Sequence, residues 1–395
     1  MLRLIDVDEL LGNYEIKFVY IENGPADPKY AIVSCMRGWP DVDGDWAHEA
    51  DDFTYEKCCL FQYRQYMQPT EEIAFQKLWN AARCAKELRC NYIWIDYCCV
   101  GPEDLADSIN FRYRWCQAAE VCLVYLPDSR VGGSSSERMY SQTMNFPCRW
   151  WLQSWTVPTI LGSRKLNFYD INWDLIDTFR RKRSTNSAPS GDFEMEIQEI
   201  TRIAPGALFG TVPLSNYSVA TRISWAGGPI GYEREEDLAY SLVGIFGVYL
   251  APIYGEEGRA AFCRLVAEVM MLTSDLSILA WDNTQDCSED GFCGALPRFD
   301  DWPASYGDVP HMPSEYPVLI TDRGVHVTAL LYPVTLPQGE AYFMCLKDNK
   351  KMGKSIGIHL QQLNYDTFQR IGGELIKLDI AKLRKPFLSA FYIAY

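Results

Sequence analysis

Histidine is scarce in this sequence, and cysteine, although frequent, is not spaced for metal binding. The chain has four histidines and 14 cysteines among its 395 residues. The histidines are scattered, and no two cysteines follow the C-x-x-C spacing. Because zinc sites need clustered cysteine and histidine ligands, no metal site is predicted.

Most of the cysteines lie in apolar patterns, where a reduced thiol packs as a small hydrophobic side chain. Two vicinal pairs, Cys58-Cys59 and Cys98-Cys99, leave a choice between a redox-active site and buried, inert thiols. We favour inert thiols, because reactive cysteines need a partly exposed, electropositive environment.

Positively charged residues and long apolar runs are also few. Lysine and arginine number 37 against 52 acidic residues, which gives a net charge of −15. General affinity for nucleic acid or for an anionic membrane is therefore not expected. The apolar uncharged stretch at residues 238–254 is short for a membrane span. The first residues carry charges where a signal peptide needs an apolar core, so we expect a cytoplasmic protein without a membrane partner.

The stretch from Tyr92 to Tyr125 is the core of the fold prediction. Tyr92–Ile95 is a short apolar and aromatic run, which suits a strand buried on both faces. A Gly-Pro loop, an amphipathic helical pattern and the apolar run Val121–Tyr125 follow, which predicts a βαβ unit with parallel strands. Ligands bind at the carboxyl ends of such strands, so Asp96 and Cys98 become candidate catalytic residues.

A second buried strand is predicted at Tyr30–Val33, followed by Ser34, Arg37 and Gly38. A small hydroxyl residue and a glycine after a strand fit a loop that approaches a ligand, and an ordinary turn fits equally well. A helical pattern at Ala74–Leu88 joins this strand to the next. Two helix-linked strands predict an α/β sheet.

From residue 316 the hydrophobic period changes from that of helices to that of strands. Val325, Val327, Ala329 and Leu331 alternate along one such run. Runs of this kind, separated by Gly, Pro and Asn, predict a small antiparallel β domain. The predicted domains are an α/β domain over 1–285 with a helical C-terminal half, a linker over 286–314 and the β domain over 315–395.

Five blocks in a fixed order then show a resemblance to a known family. They read YAIVSCMRGW, YIWIDYCCV, SINFRYRWCQAAEVCLVYL, RWWLQSWTVP and SVATRISWAGG…REEDLAYSLVGIFGVYLAPIYGEEGRAAFCRL. From about Tyr30 to Trp281 they resemble the fungal heterokaryon-incompatibility (HET) domain. The resemblance implies a filamentous fungal source, a core distantly similar to the Toll/interleukin-receptor (TIR) fold, and an association with non-self recognition and cell death. The expected fold class is α/β, with a TIR-like parallel sheet flanked by helices, a helical extension and a small C-terminal antiparallel β domain.

Some TIR-like domains hydrolyse NAD, so the resemblance makes an NAD-like nucleotide the candidate ligand or substrate. Cleavage of an N-glycosidic bond builds positive charge on the ribose, which a carboxylate stabilises. The family's tryptophan-rich block typically reads RGWTLQEL, and its Glu matches the TIR catalytic position. Here the block reads QSWTVPTI, which places Thr159 at the Glu and Gln153 at the Arg. A hydroxyl cannot supply the negative charge, so we expect standard NAD hydrolysis to be lost.

The predicted site is a cleft formed by the two strand ends and the tryptophan-rich block. Its candidate catalytic residues are Asp96, Cys98 and Thr159. Its candidate substrate-binding residues are Ser34, Arg37, Gly38, Arg149 and Trp155.

Three functional interpretations stay open. The first is a signalling protein of the HET type that keeps the cleft but has lost NAD hydrolysis. The second is a secondary-metabolism enzyme, in which Arg37 binds a carboxylate or phosphate and Asp96 or Cys98 acts as base or nucleophile. The third is an NAD glycohydrolase with a substitute acid, for which Asp96, Asp104 and Asp107 are candidates. The partners considered are a small-molecule ligand or substrate and a second copy of the chain.

Overall fold

The chain forms two compact units, Met1–Thr211 and Val212–Tyr395. The computed structural model describes residues 1–21, 28–36, 39–40, 46–47, 54–61, 73–129, 132–133, 137–141, 147–181, 191–226, 234–280, 292–293, 311–337, 339–347 and 355–394. Across these residues, no helix has the length and apolar character that crossing a membrane requires.

The first unit is built around a seven-stranded sheet with the order β2-β1-β6-β3-β7-β8-β9. Its strands are β1 (Leu2–Asp6), β2 (Phe18–Ile21), β3 (Tyr30–Cys35), β6 (Tyr92–Ile95), β7 (Val121–Tyr125), β8 (Lys165–Tyr169) and β9 (Leu175–Arg180). Two short strands, β4 (Trp39–Pro40) and β5 (Trp46–Ala47), pair separately.

The centre of this sheet is parallel, as the sequence predicts. Strand β3 pairs in parallel with β6 on one side and with β7 on the other, and β7 pairs in parallel with β8. The outer strands β1, β2 and β9 are antiparallel. The sheet is therefore mixed. The sequence pattern predicts its parallel central strands but does not indicate the antiparallel strands outside them.

The helices of the first unit connect and cover these strands. They are α1 (Val7–Asn13), α2 (Tyr55–Phe61), α3 (Ile73–Glu87), α4 (Asp96–Cys99), α5 (Leu105–Ala118), α6 (Thr156–Gly162), α7 (Asp192–Thr201) and α8 (Pro205–Leu208). Helix α3 precedes β6, and α5 makes the crossover from β6 to β7, which confirms the βαβ unit. One detail differs from the sequence prediction: a short helix, α4, follows β6 directly, before the Gly-Pro loop.

Among its described residues, the second unit contains three α-helices and a barrel. The helices are α9 (Val219–Ser224), α10 (Glu236–Phe246) and α11 (Gly258–Leu272). Buried Asp275 joins three segments of this unit, because its carboxylate accepts hydrogen bonds from the backbone N–H groups of Val219, Ser277 and Met312 at 2.9–3.0 Å. A buried carboxylate satisfied by three N–H donors fixes these segments together.

The C-terminal strands form a barrel rather than an open sheet. The strands of this unit are β10 (Phe292–Cys293), β11 (Leu319–Thr321), β12 (Gly324–Leu336), β13 (Gly339–Lys347), β14 (Ser355–Gln362), β15 (Thr367–Leu378) and β16 (Phe387–Ile393). Strands β12 to β15 form an antiparallel meander, and β16 closes it by pairing antiparallel with β12 and parallel with β15. Alternating side chains fill the interior, among them Val325, Val327 and Phe391.

The two compact units do not coincide with the domain ranges predicted from the sequence. Residues 212–285 belong to the same compact unit as the barrel, whereas the sequence assigns them to the α/β domain. Compactness does not test which parts fold independently. The predicted ranges of 1–285, 286–314 and 315–395 therefore stay a prediction.

Candidate functional site

The candidate site lies at the carboxyl ends of the parallel strands. The chain leaves β3 towards β6 on one side and later crosses to β7 on the other, so the direction of the connections changes between β3 and β7. Ligands of open α/β sheets bind outside the strand ends at such a switch point. Ser34, Asp96, Asp128 and Asp170 lie at or just beyond the ends of β3, β6, β7 and β8.

Asp96 begins helix α4 directly after β6. Its Oδ1 accepts a hydrogen bond from the Tyr97 N–H at 2.8 Å, and its Oδ2 lies 3.0 Å from Nη2 of Arg112. The Asp96 side chain is 33% exposed and the Arg112 side chain 13%. The carboxylate is therefore neutralised by a cation while it stays accessible to solvent.

Arg112 brings Asp96 and Trp155 together. Its guanidinium carbon lies 5.1 Å from the ring centre of Trp94 and 4.4 Å from that of Trp155, so two rings hold it in place. Its Nε–H is buried and has no hydrogen-bond acceptor among the described residues. Sequence reasoning missed Arg112, although its spacing of three from Ile109 and four from Cys116 places it on the buried stripe of α5.

Ser34 and Arg149 are placed by two hydrogen bonds from the tryptophan-rich block. The Trp150 Nε1–H donates to Ser34 Oγ at 2.9 Å, and the Arg149 backbone N–H donates to Oδ2 of Asp128 at 2.9 Å. The first bond attaches the block to the end of β3. The second attaches it to the end of β7, while the Arg149 side chain is exposed.

Asp128 is a second carboxyl group that sequence reasoning missed. The residue is buried, and among the described residues its Oδ1 has no hydrogen-bond partner. Burial raises its pKa above the ordinary aspartate value, partly opposed by the hydrogen bond from the Arg149 N–H. Its only sequence signal is its position three residues beyond the apolar run Val121–Tyr125.

Thr159 lies inside helix α6 and not on an accessible surface. It is 3% exposed, and its hydroxyl donates to the Trp155 carbonyl at 2.7 Å. It also lies near the Cys116 thiol of α5, whose pKa is raised by burial to about 11. Thr159 thus contributes to the α5–α6 contact and presents no charge.

Cys98 is fully buried next to Cys58. Burial, the largest cause, and the neighbouring Cys58 thiol raise its pKa well above the ordinary cysteine value. Only the thiolate is a strong nucleophile, so this environment does not favour the nucleophilic role considered above.

The remaining candidate acids are paired, and two candidate residues cannot be placed. Asp104 forms an ion pair with Arg3 at 2.7 Å, and Asp107 pairs with the amino group of Met1. Arg37 and Gly38 lie outside the described residues. Within the described ranges, no group of three metal-ligating side chains is close enough together to hold an ion.

These features define an α/β protein with a polar edge at the ends of its parallel strands. The vegetative incompatibility protein HET-E-1 of Podospora anserina is 33% identical to this chain over 245 residues, which is 60% of this chain and 16% of that protein. The chain is therefore related in sequence to a heterokaryon-incompatibility protein, although it spans only a small part of that relative. No family model and no solved structure matches the chain.

Proposed function

We propose that the chain is a HET-type protein with a TIR-like core that acts in fungal non-self recognition or cell-death signalling. In this proposal it binds a nucleotide-sized molecule at the carboxyl ends of β3, β6 and β7 and does not carry out standard NAD hydrolysis. The similarity to HET-E-1 over 245 residues supports the biological role. The parallel order of the central strands supports the position of the cleft.

The observation that carries the ligand site is the partly exposed group of Asp96, Arg112 and Trp155. A partly exposed carboxylate can accept hydrogen bonds from ribose hydroxyls, and an indole ring held by a guanidinium offers an aromatic surface next to it. The group is fixed before any ligand arrives, which lowers the entropy cost of binding.

The observation that carries the loss of hydrolysis is the environment of Thr159. Its hydroxyl is neutral, buried and already hydrogen-bonded to a backbone carbonyl. Asp96, Asp104 and Asp107 each lie in an ion pair, which weakens the case for a substitute acid. The glycohydrolase and pathway-enzyme interpretations stay predictions, and no described contact favours either.

Ligand binding is tested by thermal unfolding of the purified protein with NAD and with ADP-ribose. We expect a rise in Tm for the wild type that is lost in Asp96→Asn, which keeps the size of the side chain but not its charge. An equal shift in both proteins would place the ligand elsewhere.

The signalling role and the absence of hydrolysis are tested separately. Incubation with NAD should release no nicotinamide above a boiled control, and sustained turnover would contradict our interpretation of Thr159. Expression in a filamentous fungal host should arrest growth or kill cells, and Asp96→Asn should weaken that effect. A host that grows normally with a confirmed level of folded protein would count against signalling.

A further inference from the structure

The barrel of the second unit is closed along only a short part of β16. Strand β16 pairs with β15 at two positions, Thr367 with Tyr392 and Phe368 with Ile393. The backbone N–H groups of Tyr392 and Ala394 donate to carbonyl oxygens of Asp366 and Phe368 at 2.8 and 2.9 Å. The first half of β16 extends beyond this closure.

The backbone N–H and C=O groups on one side of that first half lie along an edge of the sheet where no described strand pairs with them. Alternate residues of a strand direct their N–H and C=O groups to the same side, so Leu388 and Ala390 point the same way as Tyr392. On the opposite side, β16 pairs with β12, where Leu330 is opposite Leu388 and Thr328 is opposite Ala390. Among the described residues, no strand pairs with Leu388 or Ala390 on the side that faces away from β12.

Exposed apolar side chains surround this edge. Phe387 and Leu388 are 44% and 52% exposed, and the neighbouring Leu330 is 42% exposed. Two residues of the β14–β15 turn, which precedes the two paired positions of β15, are also exposed: Leu363 and Tyr365. Proteins normally protect an edge of this kind with charges or bulges, because unpaired backbone groups beside apolar side chains recruit another strand.

A basic segment lies at one end of the edge. Lys382, Arg384 and Lys385 are exposed and directly precede Phe387 in a chain whose net charge is −15. Among the described residues, these three side chains have one ion-pair partner: the Asp379 carboxylate, which lies 3.4 Å from Lys382 Nζ. A local positive charge on an acidic protein selects for an acidic partner.

We propose that the edge Phe387–Ala390 binds an extended segment of a partner protein, which adds a strand to β16. In the bound segment, every second residue is apolar. Acidic residues lie at the end that contacts Lys382–Lys385. Main-chain hydrogen bonds supply the affinity, and the apolar and basic side chains supply the specificity. A membrane cannot offer alternating N–H and C=O groups, and a second copy that pairs through the same edge brings a basic segment of like charge.

The proposal is tested with a fluorescein-labelled peptide of alternating Val and Thr that carries two Glu residues at one end. Fluorescence anisotropy of the probe with the full chain should show saturable binding. Leu388→Pro removes an N–H that points to the open edge and no ladder bond to β12, whereas Leu388→Ala removes the same side chain and keeps the N–H. We expect binding at least about tenfold weaker for Leu388→Pro than for Leu388→Ala.

Charge complementarity is tested by the double variant Arg384→Glu with Lys385→Glu. It should weaken binding of the Glu probe by about tenfold and regain affinity for a probe with two Lys residues in their place. Equal Tm values for all variants show that the barrel stays folded. Three results would overturn the proposal: no saturable binding to the wild type, equal binding by the two Leu388 variants, or a wild-type dimer that Leu388→Pro dissociates. Binding only to anionic vesicles would also overturn it.

Discussion

The two units leave different kinds of chemical group accessible. In the first unit, the ends of the parallel strands present side chains, and most of their charges already have partners, as Asp96 has in Arg112. In the second unit, the accessible groups lie on the backbone of β16, and the side chains around them are apolar. The ligand that we propose for the first unit would therefore meet fixed polar side chains, whereas the partner that we propose for the second would meet backbone groups that pair with no strand among the described residues.

The largest expected effect concerns closure of the barrel. Gly324 has a φ of +122°, and a Cβ at this position would lie far inside van der Waals contact with the Ile393 carbonyl oxygen. Gly324→Ala should lower the free energy of unfolding by about 3 kcal/mol or more. Urea unfolding monitored by circular dichroism measures this loss.

Gly339→Ala is the matched control for that substitution. Gly339 has a φ of +131°, but no atom lies within 4 Å of the position of its Cβ. Only backbone strain is added, so a loss of about 1–2 kcal/mol is expected. An equal loss in the free energy of unfolding for the two variants would show that the close approach of β16 to Gly324 adds nothing to the destabilisation.

A smaller effect is expected for the ion pair at the end of β6. Arg112→Leu removes the partner of Asp96 and the cation between two tryptophan rings. We expect a loss of about 2 kcal/mol, below that for a fully buried pair because Asp96 is 33% exposed. A double-mutant cycle with Asp96→Asn measures the coupling. A coupling energy near zero would mean that the pair contributes little to the site.

The pH dependence of stability should reflect Glu196 of α7. Burial, with a contribution from Glu199, raises the pKa of Glu196 to about 7 from an ordinary value of 4.5. Between these pH values the folded protein keeps a proton that the unfolded chain has released, so the free energy of unfolding falls as the pH rises from 4.5 to about 7. We expect a fall on the order of 1–2 kcal/mol from this group in a pH series of urea titrations.

Two variants separate the causes of that dependence. Glu196→Gln should flatten it, because the side chain no longer titrates. Glu199→Gln should lower the pKa of Glu196 and end the fall at a lower pH. A pH profile unchanged by Glu196→Gln would assign the dependence to another group.

The smallest effect is expected for Asp128. Burial raises its pKa and so disfavours its charged form, and a neutral amide keeps the acceptor of the Arg149 N–H. Asp128→Asn should change the free energy of unfolding by less than about 1 kcal/mol, whereas Asp128→Ala, which removes the acceptor of the Arg149 N–H, should cost about 1–3 kcal/mol. A large loss for Asp128→Asn would show that the group is ionised in the folded protein.

The central strands could be predicted from the sequence because burial on both faces leaves a local signal. The apolar run Tyr92–Ile95 is strand β6 without any change of bounds, and Val121–Tyr125 is strand β7. The edge strands and the barrel closure could not be predicted. Their pairing depends on contacts such as Val325 with Ile393, and local periodicity carries no information about such distant partners.

The same limit applies to the candidate site. Asp96 and Trp155 could be selected because they follow recognisable strand and tryptophan patterns. Arg112 could not be selected, because its role depends on Asp96, which is 16 residues away, and on the ring of Trp155 at the start of α6. Ser34 was selected as a ligand contact, but the partner that the structure gives it is Trp150, 116 residues later.

The buried cysteines can be used to measure local opening of the structure. Cys58, Cys98 and Cys122 are shielded from solvent, whereas Cys59 and Cys263 are partly accessible. An alkylating reagent should modify the accessible thiols promptly and the shielded ones only when the surrounding helices detach. Mass spectrometry of alkylated peptides would then rank the segments of the protein by how often each one opens, without any engineered label.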